Sequence, residues 1–114
     1  MMNDCIFCKI LKGEIPSKKV YEDEVVYAFH DIAPAAPVHV LIIPKEHICC
    51  MNKAEDKHKI LLGHILLTAQ KIAKDLGIAD NGYRIINNCG EQAGQTVFHM
   101  HFHLLGGETF TNLV

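Results

Sequence analysis

Apolar and polar positions along this chain follow two periods, and the switch between them predicts its elements. The clearest period-two stretch is His99-Met100-His101-Phe102-His103-Leu104-Leu105, closed by Gly106-Gly107. Such alternation is the pattern of a strand lying on a core. Met100, Phe102 and Leu104 would share one face and the three histidines the other. Residues 38–43 form a nearly continuous apolar run ending at Pro44, read as a buried strand in which His39 shares a face with Leu41 and Ile43. Residues 19–22 and 25–29 read as two strands meeting in a hairpin at Asp23-Glu24, and residues 83–87 as another strand. A short helix is predicted over residues 4–13, capped by Asp4 and ended by Gly13, before Ile15-Pro16 breaks the pattern. The one long helix is expected over residues 53–76, with Asn52 as N-cap, Glu55 completing a capping box and Gly77 as the stop. Its buried stripe is Leu61, Ile65, Thr68 or Ala69, Ile72 and Leu76. Several strands around one long helix, with hairpin-length connections, predict an α+β fold with an antiparallel sheet.

Composition narrows the function classes. A chain of 114 residues suits one domain with one core. The longest apolar runs fall far short of the roughly 20 residues a membrane span requires, and no basic-then-apolar leader opens the chain. A net charge of -2 provides no footprint for a nucleic-acid backbone, although a small anion remains compatible with it. Five cysteines, an odd number without a secretion signal, point to a reducing compartment and a cytoplasmic protein.

Candidate chemistry concentrates in three places. Alternate histidines on one strand face stand roughly 7 Å apart, which suits a metal, a phosphate, or a nucleophile flanked by helpers. His101 is the best nucleophile candidate because it alone has a histidine on each side; His103 would hold a phosphate oxygen or protonate a leaving group. Asn88 and Thr96, in the loop before this strand, offer an amide and a hydroxyl. Spacing does not separate a metal-free histidine pair from a three-histidine zinc site. The second place is Cys5-x-x-Cys8, a spacing that serves zinc, disulfide exchange or neither. A structural zinc needs about four ligands, so His47 or a strand histidine would have to join. The third is Phe29-His30-Asp31-Ile32, where Asp31 either accepts from ribose hydroxyls, with Phe29 and Ile32 around a base, or caps a turn.

These segments resemble the histidine triad (HIT) family. His-Met-His-Phe-His-Leu-Leu matches its alternating histidine pattern, and the similarity continues through Cys-Ile-Phe-Cys-Lys-Ile, Ala-Phe-His-Asp-Ile-Ala-Pro, Ala-Pro-Val-His-Val-Leu-Ile-Ile-Pro-Lys-Glu-His and Ala-Gly-Gln-Thr-Val-Phe-His. The likeness is greatest to the Hint branch of nucleoside phosphoramidases. It implies a single HIT domain over residues 1–114, with about five antiparallel strands, one long helix and a short N-terminal helix. It also implies a homodimer formed through the long helix and the strand near Tyr83. The implied reaction is hydrolysis of a P–N bond in a purine nucleoside phosphoramidate, without a required cofactor. Dinucleoside polyphosphate hydrolysis, or a nucleotide-binding interaction role, is the alternative. By position, His101 would be the nucleophile, His103 the phosphate and leaving-group partner, and His39 part of a supporting relay, with Asn88, Gln95 and Thr96 at the phosphate. Ile6, Phe7, Ile10, Phe29, His30, Asp31 and Ile32 would form the nucleoside pocket. Cys5, Cys8, His47 and His99 look like the structural zinc ligands of bacterial relatives. The C-terminal stretch from Glu108 to Val114 departs from the Trp-containing tail of animal members, which shapes the leaving-group side.

Overall fold

The computed structural model describes residues 4–112. Helix α1 spans Ile6–Leu11, and strands β1 (Lys19–Glu22), β2 (Val26–His30) and β3 (Val38–Pro44) follow. Helix α2 is Lys59–Asp75, and β4 (Tyr83–Asn87) and β5 (Phe102–Gly106) complete the described elements. The five strands form one antiparallel sheet in the order β1-β2-β3-β5-β4.

The apolar run of β3 reflects burial on both faces. Val40 and Ile42 point to α2, where they join Val26, Ala28, Phe102 and Leu104 against Ile65, Ala69 and Ile72. Leu41 and Ile43 point the other way, onto Phe7 of α1 and Phe29. The period-two reading of residues 99–105 holds in its facing. Met100, Phe102 and Leu104 lie in the α2-side core, and Phe7 of α1 stacks edge-on against His99 and His101. Ladder pairing, however, starts only at Phe102. β4 ends at Asn87, opposite Phe102, and the β3 ladder stops at Ile42, so residues 99–101 make no strand pairs: Met100 N–H instead donates to Ile48 O at 2.6 Å, and Asn87 Nδ2 donates to His101 O at 2.9 Å.

The termini of both helices differ from expectation for local reasons. Cys5, rather than Asp4, caps α1, its Sγ accepting from Cys8 N–H at 3.3 Å. The long helix begins at Lys59 instead of near Lys53, because Ala54 and Glu55 are extended and separate two short 3-10 turns, Met51–Lys53 and Asp56–His58. Glu55 is therefore the cap itself and not the third position behind Asn52. Its carboxylate accepts from His58 N–H while His58 Nδ1 accepts from Glu55 N–H at 2.9 Å. His58 Nε2 then donates to Glu46 at 3.0 Å, tying the start of α2 to the loop that carries His47. Gly77, at φ 76, stops the helix as expected, with Gly77 and Ile78 N–H donating back to Lys74 and Ala73 carbonyls. The buried stripe is Ile65, Thr68, Ala69, Ile72 and Ala73, while Ile60, Leu66 and Leu67 are exposed on the outer face.

Gly106 marks a close approach: a Cβ there would stand 2.6 Å from Ile78 Cδ1 and 3.1 Å from its Cβ. Gly106→Ala is expected to cost about 1–3 kcal/mol by overpacking. Urea unfolding measures this, and a variant as stable as the parent would show that Ile78 yields without cost.

Candidate active site and metal cluster

The β3–β5 register explains how two distant histidines meet. Leu41 faces His103 and His39 faces Leu105, so His39 and His103 are diagonal neighbours on one face, within reach of aromatic side chains. His39 Nε2 and His103 Nδ1 are 2.9 Å apart. His39 Nδ1 accepts from Ala35 N–H at 3.0 Å, which leaves its proton on Nε2 to be donated to His103 Nδ1. The His103 proton then sits on Nε2. Asp31 Oδ2 lies 3.5 Å from His39 Nε2, and Asp31 Oδ1 accepts from Ala33 N–H at 2.8 Å. Asp31 thus caps the turn and also faces the relay.

His101 is held differently. Its Nδ1 donates to His99 O at 2.8 Å, so in the neutral ring Nε2 carries the lone pair. Phe7 packs edge-on against it, with centroids 5.1 Å apart at 88°. The His101 and His103 rings are 5.1 Å apart.

Both rings line a cavity of about 260 Å³, whose walls include Ile6, Phe7, Ile10, Phe29, His30, Asp31, Ile32 and Thr96. His30, Asp31 and Ile32 are shared with an adjoining groove of about 740 Å³ that also touches His39 and Lys18. Ile15, Pro16, Ser17, Leu41 and Val97 complete the cavity and were not anticipated, although Leu41 shares the pleat face assigned to His39. Asn88 and Gln95 are not among its lining residues. The Gln95 amide is buried and spent within the loop, accepting from Gly90 N–H at 2.8 Å and donating to Cys49 O and Val97 O at 2.9 and 3.0 Å. Asn87, also not anticipated, is the residue whose amide holds the His101 carbonyl.

Burial, then the neighbouring His101 and His39, pushes the His103 imidazolium value from 6.5 down to about 4, and burial lowers His39 against the opposing pull of Asp31. Both rings therefore stay neutral at neutral pH. An unfolded chain binds protons that the native relay refuses between pH 6.5 and 4, so stability is full above that window and falls as pH drops through it. From His103 alone the expected loss between pH 7 and 4.5 is about 2–3 kcal/mol. Urea unfolding of the parent and of His103→Asn at both pH values measures it. Equal pH dependence in the two would refute this assignment.

A second constellation lies beside the first. The donor atoms of Cys5, Cys8, His47 and His99 all lie within 4.8 Å of one another. His99 Nε2 donates to Pro44 O at 2.8 Å, which turns a bare Nδ1 toward Cys5 Sγ at 3.3 Å and Cys8 Sγ at 3.6 Å. His47 Nδ1 is 3.3 Å from Cys8 Sγ. Sulfur–nitrogen separations of about 3.5 Å are the edges of a tetrahedron with bonds near 2.3 and 2.1 Å, so two thiolates and two imidazoles here fit a four-coordinate soft metal. Burial, reinforced by the Cys5 thiol, pushes the Cys8 thiol up to about 11, and burial holds His99 down to about 4. A bound cation would reverse the first effect and favour the thiolate. The three strand histidines do not share one ion: His99 belongs to this cluster, His103 groups with Asp31 and His39, and His101 belongs to neither group.

A five-stranded antiparallel sheet carrying one histidine aimed at a cavity, a second in a relay and a third turned to a cysteine pair is the arrangement of a histidine triad domain. Residues 12–110 match the HIT domain, and the chain belongs to this family. It is 49% identical over 107 residues to the purine nucleoside phosphoramidase of Escherichia coli K12, covering 94% of this chain and 90% of that protein. A HIT-like protein of Synechococcus elongatus is 50% identical, covering 96% and 95% of the two chains. Among solved structures, a HIT family hydrolase from Clostridium thermocellum superposes with a TM-score of 0.95 at 54% identity, covering all of both chains.

Proposed function

We propose that this protein is a nucleotide hydrolase that cleaves the P–N bond of purine nucleoside phosphoramidates and releases the nucleoside monophosphate. The observation that carries this reading is the His101 ring, whose Nδ1–H is fixed on a backbone carbonyl and whose Nε2 is left as a nucleophile at the wall of a cavity. The base lies among Ile6, Phe7, Ile10, Phe29 and Ile32, with His30 at its edge and Asp31 accepting from the ribose. His101 Nε2 attacks phosphorus; His103 Nε2–H hydrogen-bonds the leaving nitrogen, and the amine departs with a proton passed in from solvent through that contact, which leaves the His103 ring neutral. His39, held by the Ala35 amide, keeps His103 in that tautomer. Water then attacks phosphorus, the bond to His101 Nε2 breaks, and the water's proton passes through that nitrogen to solvent, which returns the His101 ring to its neutral form. Thr96 contacts phosphate from the cavity wall, and Asn88 and Gln95 shape the loop around it.

Cys5, Cys8, His47 and His99 would hold a structural zinc, whose part is to fix α1 and the strand start beside His101. Exposed Ile60, Leu66 and Leu67 on α2 support a homodimer through that helix and β4. No described helix is long and apolar enough to cross a membrane. The net charge of -2 argues against a nucleic-acid partner, and the free cysteines fit the cytoplasm.

Steady-state rates on an adenosine phosphoramidate and on a diadenosine polyphosphate test the reading. A kcat/KM at least about 100-fold higher on the amidate is expected, a preference of about 3 kcal/mol in the transition state. The reverse order would assign a dinucleoside polyphosphate hydrolase, and no turnover of either would leave a binding protein.

A further inference from the structure

Ser17 is a cavity residue with no part in the relay, the metal cluster or the phosphate end. It lines the cavity beside Ile15 and Pro16, in the segment that runs from α1 into β1. The sheet register places it relative to the histidines. His103 pairs with Leu41, Leu41 with Phe29 and Phe29 with Lys19, so one row crosses from β5 to β1. Three strand spacings of about 4.8 Å put β1 roughly 14 Å from β5. His30 N–H donates to Lys18 O at 3.0 Å, which anchors the Ser17 segment at this far edge. The histidines therefore hold one end of the cavity and Ser17 stands at the other. The walls supplied by α1 and by residues 15–17 are apolar apart from Ser17.

The Ser17 hydroxyl is not isolated. Its Oγ lies 2.6 Å from Tyr27 OH. Tyr27 is half-buried in the α1-side cluster, its ring 5.7 Å from that of Phe29, and is not itself a cavity wall. A phenol is a stronger acid and a weaker acceptor than an alkyl alcohol, so Tyr27 donates and Ser17 accepts. Among the described residues no acceptor takes the Ser17 proton, which is left for the occupant of the cavity.

Taking the cavity as the nucleotide site of the function proposed above, we propose that Ser17, set as a donor by Tyr27, favours a 6-oxopurine (guanine or hypoxanthine) over adenine. With phosphorus at His101 and ribose at Asp31, the base points to the Ser17 end. Its edge most remote from the ribose carries N1 and the 6-substituent. A carbonyl oxygen there accepts from Ser17 Oγ–H, whereas an amino group turns its own hydrogens toward that proton. Tyr27 is a positioning residue: it acts only by fixing which way the Ser17 O–H turns.

Dissociation constants of the full-length protein for three 5′-monophosphates, those of inosine, adenosine and purine riboside (hydrogen at C6), test this. Ser17→Ala should weaken the inosine nucleotide about three- to tenfold and the other two less than about twofold. That difference is the coupling between one hydroxyl and one base oxygen. Tyr27→Phe should reproduce part of the loss for the inosine nucleotide alone, and the double variant should lose no more than Ser17→Ala. Equal weakening of all three nucleotides by Ser17→Ala overturns the contact, and a larger loss for the adenosine nucleotide overturns the donor assignment. Equal weakening of all three by Tyr27→Phe overturns its positioning role. A parent that binds none of the three removes the nucleotide site itself; binding of all three without coupling removes only the role of Ser17. No turnover is involved, so a failed phosphoramidase assay and a failed Ser17 assignment remain distinct.

Discussion

His101→Asn is expected to lower phosphoramidate turnover at least about 1,000-fold while leaving nucleotide affinity within roughly threefold of the parent. The asymmetry follows from what the ring does. Its Nδ1–H contact with His99 O orients it, and its Nε2 supplies the electron pair for the bond to phosphorus. An asparagine side chain can still occupy the site, but it cannot form a nucleotidyl intermediate of useful reactivity. Binding rests on other walls, chiefly Ile6, Ile10, Phe29, His30 and Asp31, none of which the substitution touches. Single-turnover kinetics with alkaline quench, which preserves a phosphorus–imidazole bond, give the second half of the test. The parent should yield a nucleotidylated peptide containing His101, and the variant none. A His101→Asn enzyme that turns over at a parental rate removes covalent catalysis at this position.

The second large effect is expected at the cysteine–histidine cluster. Cys8→Ser should abolish stoichiometric zinc binding and lower Tm by roughly 10–20 °C, the equivalent of about 2–4 kcal/mol in a domain of this size. Helix α1 is only six residues long, too short to persist by its own hydrogen bonds. It is kept in place by Phe7 packing on Phe29, His99 and His101, and by Cys5 and Cys8 meeting His47 and His99. Releasing it loosens Ile6, Phe7 and Ile10, three walls of the cavity, without moving the His39–His103 relay on β3 and β5. KM should therefore rise more than kcat falls. Wild-type protein stripped by a chelator should behave as the variant does. If Cys8→Ser binds zinc and melts as the parent does, the four donors are not a metal site.

Much of the fold was legible along the chain because its signals are local. The bounds of β1 and β4 match the predicted stretches, and the stop at Gly77 follows from a residue that tolerates positive φ. The false start of α2 had a local cause too, but one that two rules read in opposite ways. Asn52 and Glu55 have capping-box spacing, yet Glu55 and His58 form the box that is realised. Pattern alone does not rank two boxes three residues apart; the Glu46–His58 contact, which needs the fold, does.

The alternation of histidines with Met100, Phe102 and Leu104 by itself determined which side of the sheet carries the chemistry, because side chains in extended backbone alternate whether or not a partner strand is present. Composition and periodicity likewise determined an α+β chain with an antiparallel sheet. Tertiary structure alone decided what each imidazole does. The three rings are chemically identical in the sequence, and their roles differ only through the partner each nitrogen meets: His99 donates to Pro44 O, His101 donates to His99 O, and His103 accepts from the His39 ring. Those partners come from β3 or from the irregular backbone just before β5. Tautomers are set by such through-space contacts, and no spacing rule along a chain encodes them.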